Sequence, residues 1–258
     1  MPRPVDILYP RRPAPAEDRR KEASDRKVLD EFFDRPTLLA ISRLITAGII
    51  DSVDHPISMG KEGGVFRATS RGGPAAIKVY RIGNAAYRRF PPHALEELRR
   101  EGSVRNLRAL VPAWTRREYT ILGRLADAGV RVPRPIAVER NVLLLEYIGD
   151  AEGAAPRLKD AVVEDLARLY DDLVEAIRRM RERAGLVHGD LSPYNLLYHE
   201  GRPVVIDVAQ AVGADHPQAR ELLVRDVGHL AEFLTRRGFP VTVPGFLDRL
   251  GIADPRGG

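Results

Sequence analysis

The spacing of hydrophobic residues changes near residue 150. Before it, short apolar runs predict strands, two of them flanking a turn at Arg140–Asn141. Beyond it, apolar residues recur at helical spacing over 158–183 and 218–236, and a short helix is predicted over 244–250. The first three predicted strands lie at 57–60, 65–70 and 75–80. The pattern therefore predicts a strand-rich first half followed by a helical second half.

Two helices are predicted ahead of the first strand. Val28, Leu29, Phe32 and Phe33 fit one helical face, and a second helix opens at Pro36 and stops at Gly48. Residues 81–112 show no clean period, and the next helix is predicted from Trp114 to Asp127.

These elements predict an α+β fold with two lobes. The expected layout is a disordered, Pro-rich basic arm over 1–24, a helical extension over 25–55, and a strand-rich N-lobe over 56–148. Residues 81–112 form a flexible basic insertion in that lobe, and a helical C-lobe follows over 149–258. The lobes are expected to join near Glu146–Gly149. Clefts between lobes commonly bind ligands.

The segment HGDLSPYN, residues 188–195, carries the first candidate chemistry. Asp190 is followed five positions later by Asn195, which is the spacing of a kinase catalytic loop. Asp190 would orient a nucleophile or take its proton, and the Asn195 amide oxygen suits Mg²⁺. An isolated Asp and Asn pair is also common in turns and helix caps. His188 is interpreted as a residue that braces the loop.

Asp207 strengthens the catalytic interpretation. It is predicted to end the apolar strand VVIDV, reached from Asn195 through a short hairpin. The hairpin would bring Asp190, Asn195 and Asp207 to one end of a sheet, where their oxygens can hold Mg²⁺ against phosphates. The alternative is an aspartate that caps the next turn.

A buried ion pair is predicted between Lys78 and Glu118. Strand alternation places Ala76, Lys78 and Tyr80 on one face of AAIKVY. Glu118 interrupts the apolar stripe of its helix, and a buried carboxylate without a partner is destabilising. Pairing would satisfy both charges and aim the ammonium at nucleotide phosphates. A surface-facing lysine is the usual alternative.

Two further segments are candidates for nucleotide contact. The Gly-rich loop 58–65 offers Ser58, Gly60 and Lys61 to phosphates, although it is neither GxGxxG nor a Walker A sequence. Backbone groups of Glu146 and Ile148 would read the adenine edge. The apolar side chains of Val65 and Ala76 would cover its faces.

The composition indicates the cellular location and the kind of partner that this chemistry would have. The chain has no cysteine, which excludes disulfide partners and thiolate metal sites, and a cytoplasmic location is expected. No signal peptide and no apolar run of roughly 18 residues is seen, so no membrane association is expected. The net charge of +5 and the pI of about 9.6 favour polyanionic partners such as ribosomal RNA.

The motifs together resemble the RIO family of atypical serine/threonine protein kinases. The resemblance rests on ISMGKEGGVFRA, AIKVYR, the 118–149 segment and LVHGDLSPYNLLYHEGRPVVIDVAQAV, and it covers about residues 28–236. The helical lead-in is similar to the first, type-one subfamily in its archaeal form. The implied fold is a two-lobed protein-kinase-like fold. The 51 residues after Asp207 are too few for an activation segment and peptide-binding helices, so the expected fold is trimmed of both.

The resemblance implies roles for these residues. Asp190 is the expected catalytic aspartate, Asn195 and Asp207 the ligands of Mg²⁺ or Mn²⁺, and Lys78 a phosphate contact of ATP. The family resemblance also implies that Asp207 accepts phosphate as an aspartyl-phosphate intermediate. The implied biological role is maturation of the small ribosomal subunit, with its precursor and rRNA as partners.

Two departures and one segment qualify the resemblance. Asp207 is followed by Val-Ala rather than Phe-Gly, and Gly63-Gly64 replace the Ala-Asn usual in the family's phosphate loop. The extra glycine is expected to loosen that loop. Residues 81–117 contain nine arginines and three glutamates, so this segment is expected to meet rRNA or gate the cleft, with a solvated loop as the alternative. Ser103 is the possible autophosphorylation site.

Two other functions remain open from the sequence. Small-molecule kinases of the aminoglycoside- and choline-kinase type also carry HGD and a downstream Asn, usually with a larger C-lobe. A nucleotide-gated assembly factor, whose turnover is incidental, would carry the same binding residues. The sequence leaves the choice among these functions to experiment.

Overall fold

The computed structural model describes residues 33–60, 63–82, 90–100 and 107–252 of the 258-residue chain. The described residues form two compact units. The predicted arm over 1–24, the first predicted helix apart from Phe33, and the candidate residues Lys61 and Ser103 lie outside them. No helix in the described ranges is long and apolar enough to cross a membrane.

The first unit opens with helix α1, Arg35–Thr46. The Asp34 side chain caps it by accepting the N–H of Thr37 at 2.9 Å, and a proline occupies the first turn. Gly48 follows the helix at φ 68°, a left-handed conformation that favours glycine. Both ends of this helix were therefore predictable from sequence signals.

The first unit also contains an antiparallel sheet and the start of a later helix. Its strands are β1 (Ser52–Met59), β2 (Gly63–Ser70), β3 (Gly73–Tyr80), β4 (Pro135–Glu139) and β5 (Val142–Glu146). Their order is β1-β2-β3-β5-β4. One face packs on α1, where Ile41, Phe66, Ile77 and Leu144 are fully buried. The other face carries Lys78, as alternation predicts.

Two helices occupy sequence that showed no clean period. Helix α2 spans Pro92–Arg100, and helix α3 spans Leu107–Asp127, so α3 begins seven residues before the predicted start at Trp114. Pro112 lies inside α3, where a proline removes one helical hydrogen bond. Within residues 81–112, which showed no clean period, residues 92–100 and 107–112 are therefore helical.

The second unit contains α2, the end of α3 and the helical remainder of the chain. Its elements after α3 are α4 (Leu166–Glu182), β6 (Leu186–Val187), β7 (Leu196–His199), β8 (Arg202–Val205), β9 (Val212–Gly213), α5 (Ala219–Arg236) and α6 (Val243–Arg249). Helix α4 begins eight residues later than predicted, because Asp165 caps it by accepting the N–H of Arg168 at 2.8 Å. Strand β6 pairs with β9, and β7 pairs with β8. The predicted order, with a strand-rich first half and a helical second half, is confirmed.

Candidate active site

Lys78 and Glu118 form an ion pair within the first unit. Lys78 Nζ lies 2.6 Å from Glu118 Oε1, and the side chains are 14% and 1% exposed. Lys78 projects from the middle of β3, opposite Leu143 of β5, while Glu118 lies on α3. The structure therefore brings together the two residues whose pairing the sequence predicted. A buried carboxylate gains its stability from such a partner.

Tyr80 completes this pair, and sequence reasoning did not assign it a role. Its hydroxyl donates a hydrogen bond to Glu118 Oε2, and its ring centroid lies 5.0 Å from Lys78 Nζ. Strand alternation had already placed Tyr80 on the face of Lys78. Both Glu118 oxygens are thus engaged, which fixes the carboxylate that holds the lysine.

We expect Tyr80→Phe to lower the free energy of unfolding by about 1–3 kcal/mol, because it leaves a Glu118 oxygen buried without its hydroxyl donor. Urea unfolding at pH 7 measures the effect. Tyr194→Phe is the control, since Tyr194 is 57% exposed. Equal stability of the two variants would contradict the role given to Tyr80.

The apolar residues that were predicted to cover adenine, Val65 and Ala76, lie on the same face of the sheet as Lys78. Val65 of β2 lies opposite Lys78, and Ala76 precedes it by two residues on β3, so cross-strand register places them on one face. Ser58 of β1 pairs with Val65. Four of the predicted nucleotide contacts, Ser58, Val65, Ala76 and Lys78, therefore belong to three adjacent strands of one sheet.

The end of the Gly-rich segment belongs to the sheet. Gly63 and Gly64 lie in β2, opposite Tyr80 and Val79. Residues 61 and 62 lie outside the described residues, so the expected loosening of the loop stays a prediction. A Cβ on Gly63 would lie 2.2 Å from the Val79 carbonyl oxygen, which makes glycine a packing requirement there. Gly60 donates its N–H to the Gly63 carbonyl at 2.8 Å and closes the turn.

The two predicted adenine contacts lie near the end of β5. Glu146 is the last residue of β5 and pairs with Ala75 of β3. The Ile148 carbonyl accepts the Ala155 N–H at 2.9 Å. Glu146 belongs to the first unit and Ile148 to the second.

Asp190 and Asn195 contact each other in the second unit. Asn195 Nδ2 donates to the Asp190 carbonyl at 2.8 Å and to Asp190 Oδ2 at 3.0 Å. Both residues are half-buried. The amide nitrogen of Asn195 is thereby committed to Asp190, which leaves its oxygen as the atom suited to a cation.

Asp207 lies beside this loop in a conformation that the sequence did not predict. Strand β8 ends at Val205, and the Ile206 N–H donates to the Asn195 carbonyl at 3.0 Å. Asp207 then adopts φ 59° and ψ 46° and starts a 3₁₀ turn, Val208–Gln210. The prediction that Asp207 ends the strand was therefore wrong by two residues. Left-handed backbone is costly away from glycine and is typical of functional sites.

The donor set in this loop fits Mg²⁺. An amide oxygen of Asn195 and a carboxylate of Asp207 are hard ligands of the kind that hold Mg²⁺ together with nucleotide phosphates. Within the described ranges, no group of three or more His, Cys, Asp or Glu side chains is arranged to hold a metal. Two protein ligands match a magnesium site that substrate oxygens and water complete.

His188 and Asp226 stabilise the backbone of the loop 188–195. His188 is buried, its Nδ1 accepts the Asp190 N–H at 3.2 Å, and its Nε2 lies 3.1 Å from the Ile206 carbonyl. Asp226 of α5 accepts the N–H groups of Gly189 at 2.8 Å and of Leu191 at 2.9 Å. Sequence reasoning missed Asp226, although its carboxylate falls at a helical spacing between Leu223 and Leu230 on the buried face of α5.

Burial raises the pKa of Asp226, and the nearby His188, the two backbone N–H groups and Arg225 oppose that rise only in part. The folded state therefore holds this proton more tightly than the unfolded chain does. The stabilisation from protonation is complete below the ordinary pKa of 3.8 and is lost as pH rises through the raised value.

We therefore expect wild-type stability, measured relative to Asp226→Asn, to increase as the pH is lowered from 7 toward 4. Other carboxylates titrate alike in both proteins and cancel in the difference. Chemical denaturation of both proteins across this range provides the measurement. A stability difference that stays constant with pH would contradict the stated environment of Asp226.

The Arg-rich segment is described only in part. Arg99 and Arg100 are exposed at the end of α2, and Arg100 pairs with Glu96 at 3.0 Å. Arg116 is exposed on α3, whereas Arg117 is buried. Arg81, at the start of the segment, is exposed as well, so the described part of the segment presents four arginines to solvent.

Comparison with known proteins shows which family the chain resembles. The family model described as RIO domain matches residues 64–245. The RIO-type serine/threonine-protein kinase Rio1 of Haloferax volcanii is 44% identical over 223 residues, which cover 85% of this chain and 76% of that protein. The serine/threonine-protein kinase RIO1 of Homo sapiens is 36% identical, with coverage of 86% and 40%.

A solved structure gives the same result for the fold. The crystal structure of the Rio2 kinase–ADP/Mg²⁺–phosphoaspartate complex from Chaetomium thermophilum aligns with a TM-score of 0.67 at 26% identity. The alignment covers 88% of this chain and 68% of that one. The predicted two-lobed, trimmed kinase-like fold is confirmed.

The chain belongs to the RIO family of atypical serine/threonine-protein kinases. Within that family it is of the type-one subfamily in its archaeal form, which confirms the resemblance seen in the sequence. The chain spans 76% of the archaeal relative but only 40% of the human one.

Proposed function

We propose that the chain is a cytoplasmic ATP- and Mg²⁺-dependent phosphotransferase and ATPase. The observation that carries the proposal is the arrangement of the loop, in which Asn195 holds Asp190 by two hydrogen bonds and Ile206 ties Asp207 to Asn195. The Lys78–Glu118 pair on the β-sheet supplies a fixed ammonium for phosphate oxygens. Kinases use these residue types for these roles.

Each group then has a stated task. Lys78 binds nucleotide phosphates, Glu146 and Ile148 read adenine through backbone groups, and Val65 and Ala76 cover its ring. Ser58, Gly60 and Lys61 add phosphate contacts. Asn195 and Asp207 hold Mg²⁺, which neutralises charge on the phosphates when bound. Mn²⁺ offers the same coordination chemistry and is the second candidate.

The phosphoryl group is proposed to reach Asp207 or a serine. In the first case a carboxylate oxygen of Asp207 bonds to the γ-phosphorus as the bond from that phosphorus to the bridging oxygen breaks. ADP leaves with the electron pair. Water then attacks the phosphorus of the acyl phosphate as the bond from phosphorus to the Asp207 oxygen breaks, which releases inorganic phosphate and restores the Asp207 carboxylate. Asp190 orients that water and takes its proton. The phosphoaspartate in the Rio2 complex, a relative at 26% identity, supports this route.

Serine autophosphorylation is the second acceptor route, with Ser103 as the proposed site. Asp190 would accept the hydroxyl proton as the serine oxygen bonds to the γ-phosphorus and ADP departs. A phosphopeptide map of the ATP-treated chain that lacks Ser103 would reject this acceptor.

The proposed partner is the precursor of the small ribosomal subunit and its rRNA. The net charge of +5 and the exposed Arg99, Arg100 and Arg116 support a polyanionic surface as partner. Charge reversal of Arg99 and Arg100, together with Arg105 and Arg108, is expected to weaken particle binding. Reversal of Arg236 and Arg249, exposed on α5 and α6, is the matched control. Unchanged particle affinity in the first set would reject the rRNA contact.

Single-turnover ATP hydrolysis with and without small-subunit particles tests the proposed function. Hydrolysis that particles stimulate supports an ATPase that acts on the particle. ATP binding without detectable hydrolysis in either condition supports a nucleotide-gated assembly factor instead. Rapid phosphorylation of an aminoglycoside or of choline, without stimulation of hydrolysis by particles, would support a small-molecule kinase.

A further inference from the structure

Gln210 contacts the carboxylate of Asp190, and none of the roles given above includes it. Its Nε2 lies 3.3 Å from Asp190 Oδ2, the oxygen that also accepts Asn195 Nδ2 at 3.0 Å. The amide must present its nitrogen to the carboxylate, because its own oxygen would repel it. Two N–H donors from different parts of the chain therefore meet on one carboxylate oxygen.

The backbone around Gln210 is well fixed. Val208 and Ala209 before it and Ala211 and Val212 after it are buried, and the Ala211 N–H donates to the Val208 carbonyl at 3.0 Å. Val212 pairs with Val187 in the short β6–β9 ladder, immediately before the catalytic loop. The position of Gln210 relative to Asp190 is thus set by neighbouring backbone.

The Gln210 backbone also lies near the loop. A Cβ built on Gly189 would lie 3.4 Å from the Gln210 carbonyl oxygen, which is an ordinary van der Waals distance. The φ of 77° at Gly189, rather than crowding by Gln210, therefore favours glycine at this position. Because Gly189 and Asp190 are consecutive, Gln210 lies beside the loop where its side chain reaches Asp190.

Two donors on Oδ2 restrain rotation of the Asp190 carboxyl group. No hydrogen bond from the described residues reaches the other oxygen, Oδ1. With Oδ2 restrained, Oδ1 is left to accept the hydrogen of an attacking hydroxyl or water. Positioning of a catalytic group to within a fraction of an ångström contributes strongly to rate.

We propose that Gln210 is a positioning residue for Asp190: it acts on phosphoryl transfer through the orientation of that carboxylate and does not touch the nucleotide. This inference rests on the proposed function for its effect on turnover. The contact itself is independent of turnover. The two parts are therefore tested by separate measurements on the full chain.

The contact is tested by selective labelling, because the chain has only two glutamines, Gln210 and Gln218. With ¹⁵N-glutamine, the spectrum contains two side-chain amide pairs, and Gln210→Leu assigns them. Gln218 is exposed and its side chain makes no cap hydrogen bond, so it is the internal reference. We expect Asp190→Ala to shift the Gln210 amide signals and leave those of Gln218 in place. Unmoved Gln210 signals would overturn the inference.

The catalytic part is tested by a double-mutant cycle. We expect Gln210→Leu to lower kcat about 10- to 100-fold, the effect of one hydrogen bond to a charged group, with Kd for ATP unchanged within about twofold. Gln210→Glu is expected to lower kcat at least as much, because it places a second carboxylate beside that of Asp190. Gln218→Leu is the control and should leave kcat unchanged.

In the Asp190→Ala background, the added change Gln210→Leu should lower kcat further by less than about twofold. A full 10-fold loss in that background, or a loss confined to ATP affinity, would overturn the positioning role. If the wild-type chain turns over no ATP, the proposed function fails, and the amide spectrum alone then decides whether Gln210 holds Asp190.

Discussion

Asp190→Ala is expected to lower kcat by about 10³- to 10⁴-fold while Kd for ATP stays within about threefold of the wild type. Asp190 is half-buried, and its Oδ2 accepts hydrogen bonds from Asn195 and Gln210. A group fixed in this way orients and deprotonates a nucleophile, so its removal affects the transition state more than the bound substrate. Single-turnover kinetics and equilibrium binding separate the two effects.

Asp248→Ala is the matched control for this experiment, because Asp248 is exposed on α6. It should leave kcat and Kd unchanged. A fall in ATP affinity as large as the fall in kcat would contradict the role given to Asp190. So would a kcat for Asp190→Ala within about tenfold of the wild type.

Loss of the Asp207 carboxylate is expected to weaken Mg²⁺–ATP binding itself, by roughly 10- to 100-fold, because a ligand of the cation is removed. ATP binding in the absence of Mg²⁺ should change little. Isothermal titration with and without Mg²⁺ gives both numbers. Asp207→Asn is the more informative variant, since asparagine tolerates the left-handed backbone that Asp207 adopts, whereas Asp207→Ala adds a cost of about 1–2 kcal/mol.

The two aspartates therefore have opposite signatures. Asp190→Ala should spare binding and remove turnover, and Asp207→Asn should lose metal-dependent binding first. Equal losses of binding in both variants would contradict the assignment of separate roles. A Kd for ATP in Asp207→Asn that is the same with and without Mg²⁺, while the wild type gains from Mg²⁺, would support it.

Part of the site could be predicted from sequence because simple periodicity determines it. Strand alternation placed Lys78 and Tyr80 on one face, and helical spacing placed Glu118 in an apolar stripe. A buried acid and a buried base on facing elements have strong reason to pair, and the ion pair at 2.6 Å follows from that rule. The limits of α1 were predictable because Pro36 and Gly48 act locally on the start and the stop of the helix.

Other features depend on tertiary contacts that a linear pattern does not contain. Asp207 tolerates left-handed backbone, but that conformation occurs here beside the Ile206 hydrogen bond to Asn195 and the buried 3₁₀ turn, which the linear pattern does not show. In the linear sequence Asp226 looks like an ordinary charged residue of a helix. Its role is visible only from its partners, the N–H groups of Gly189 and Leu191. Helix α3 extends through Pro112, which local rules treat as a helix boundary.

The most direct test of the central claim is to mix the chain with γ-labelled ATP and Mg²⁺ and follow protein-bound phosphate by mass spectrometry. An ATP-driven phosphotransferase that uses Asp190 and Asp207 should consume ATP and carry acid-labile phosphate that maps to Asp207. Asp207→Asn should lack that phosphate, and Asp190→Ala should consume ATP about 10³-fold more slowly. A wild-type chain that binds Mg²⁺–ATP but neither consumes it nor carries phosphate on any residue would contradict the claim.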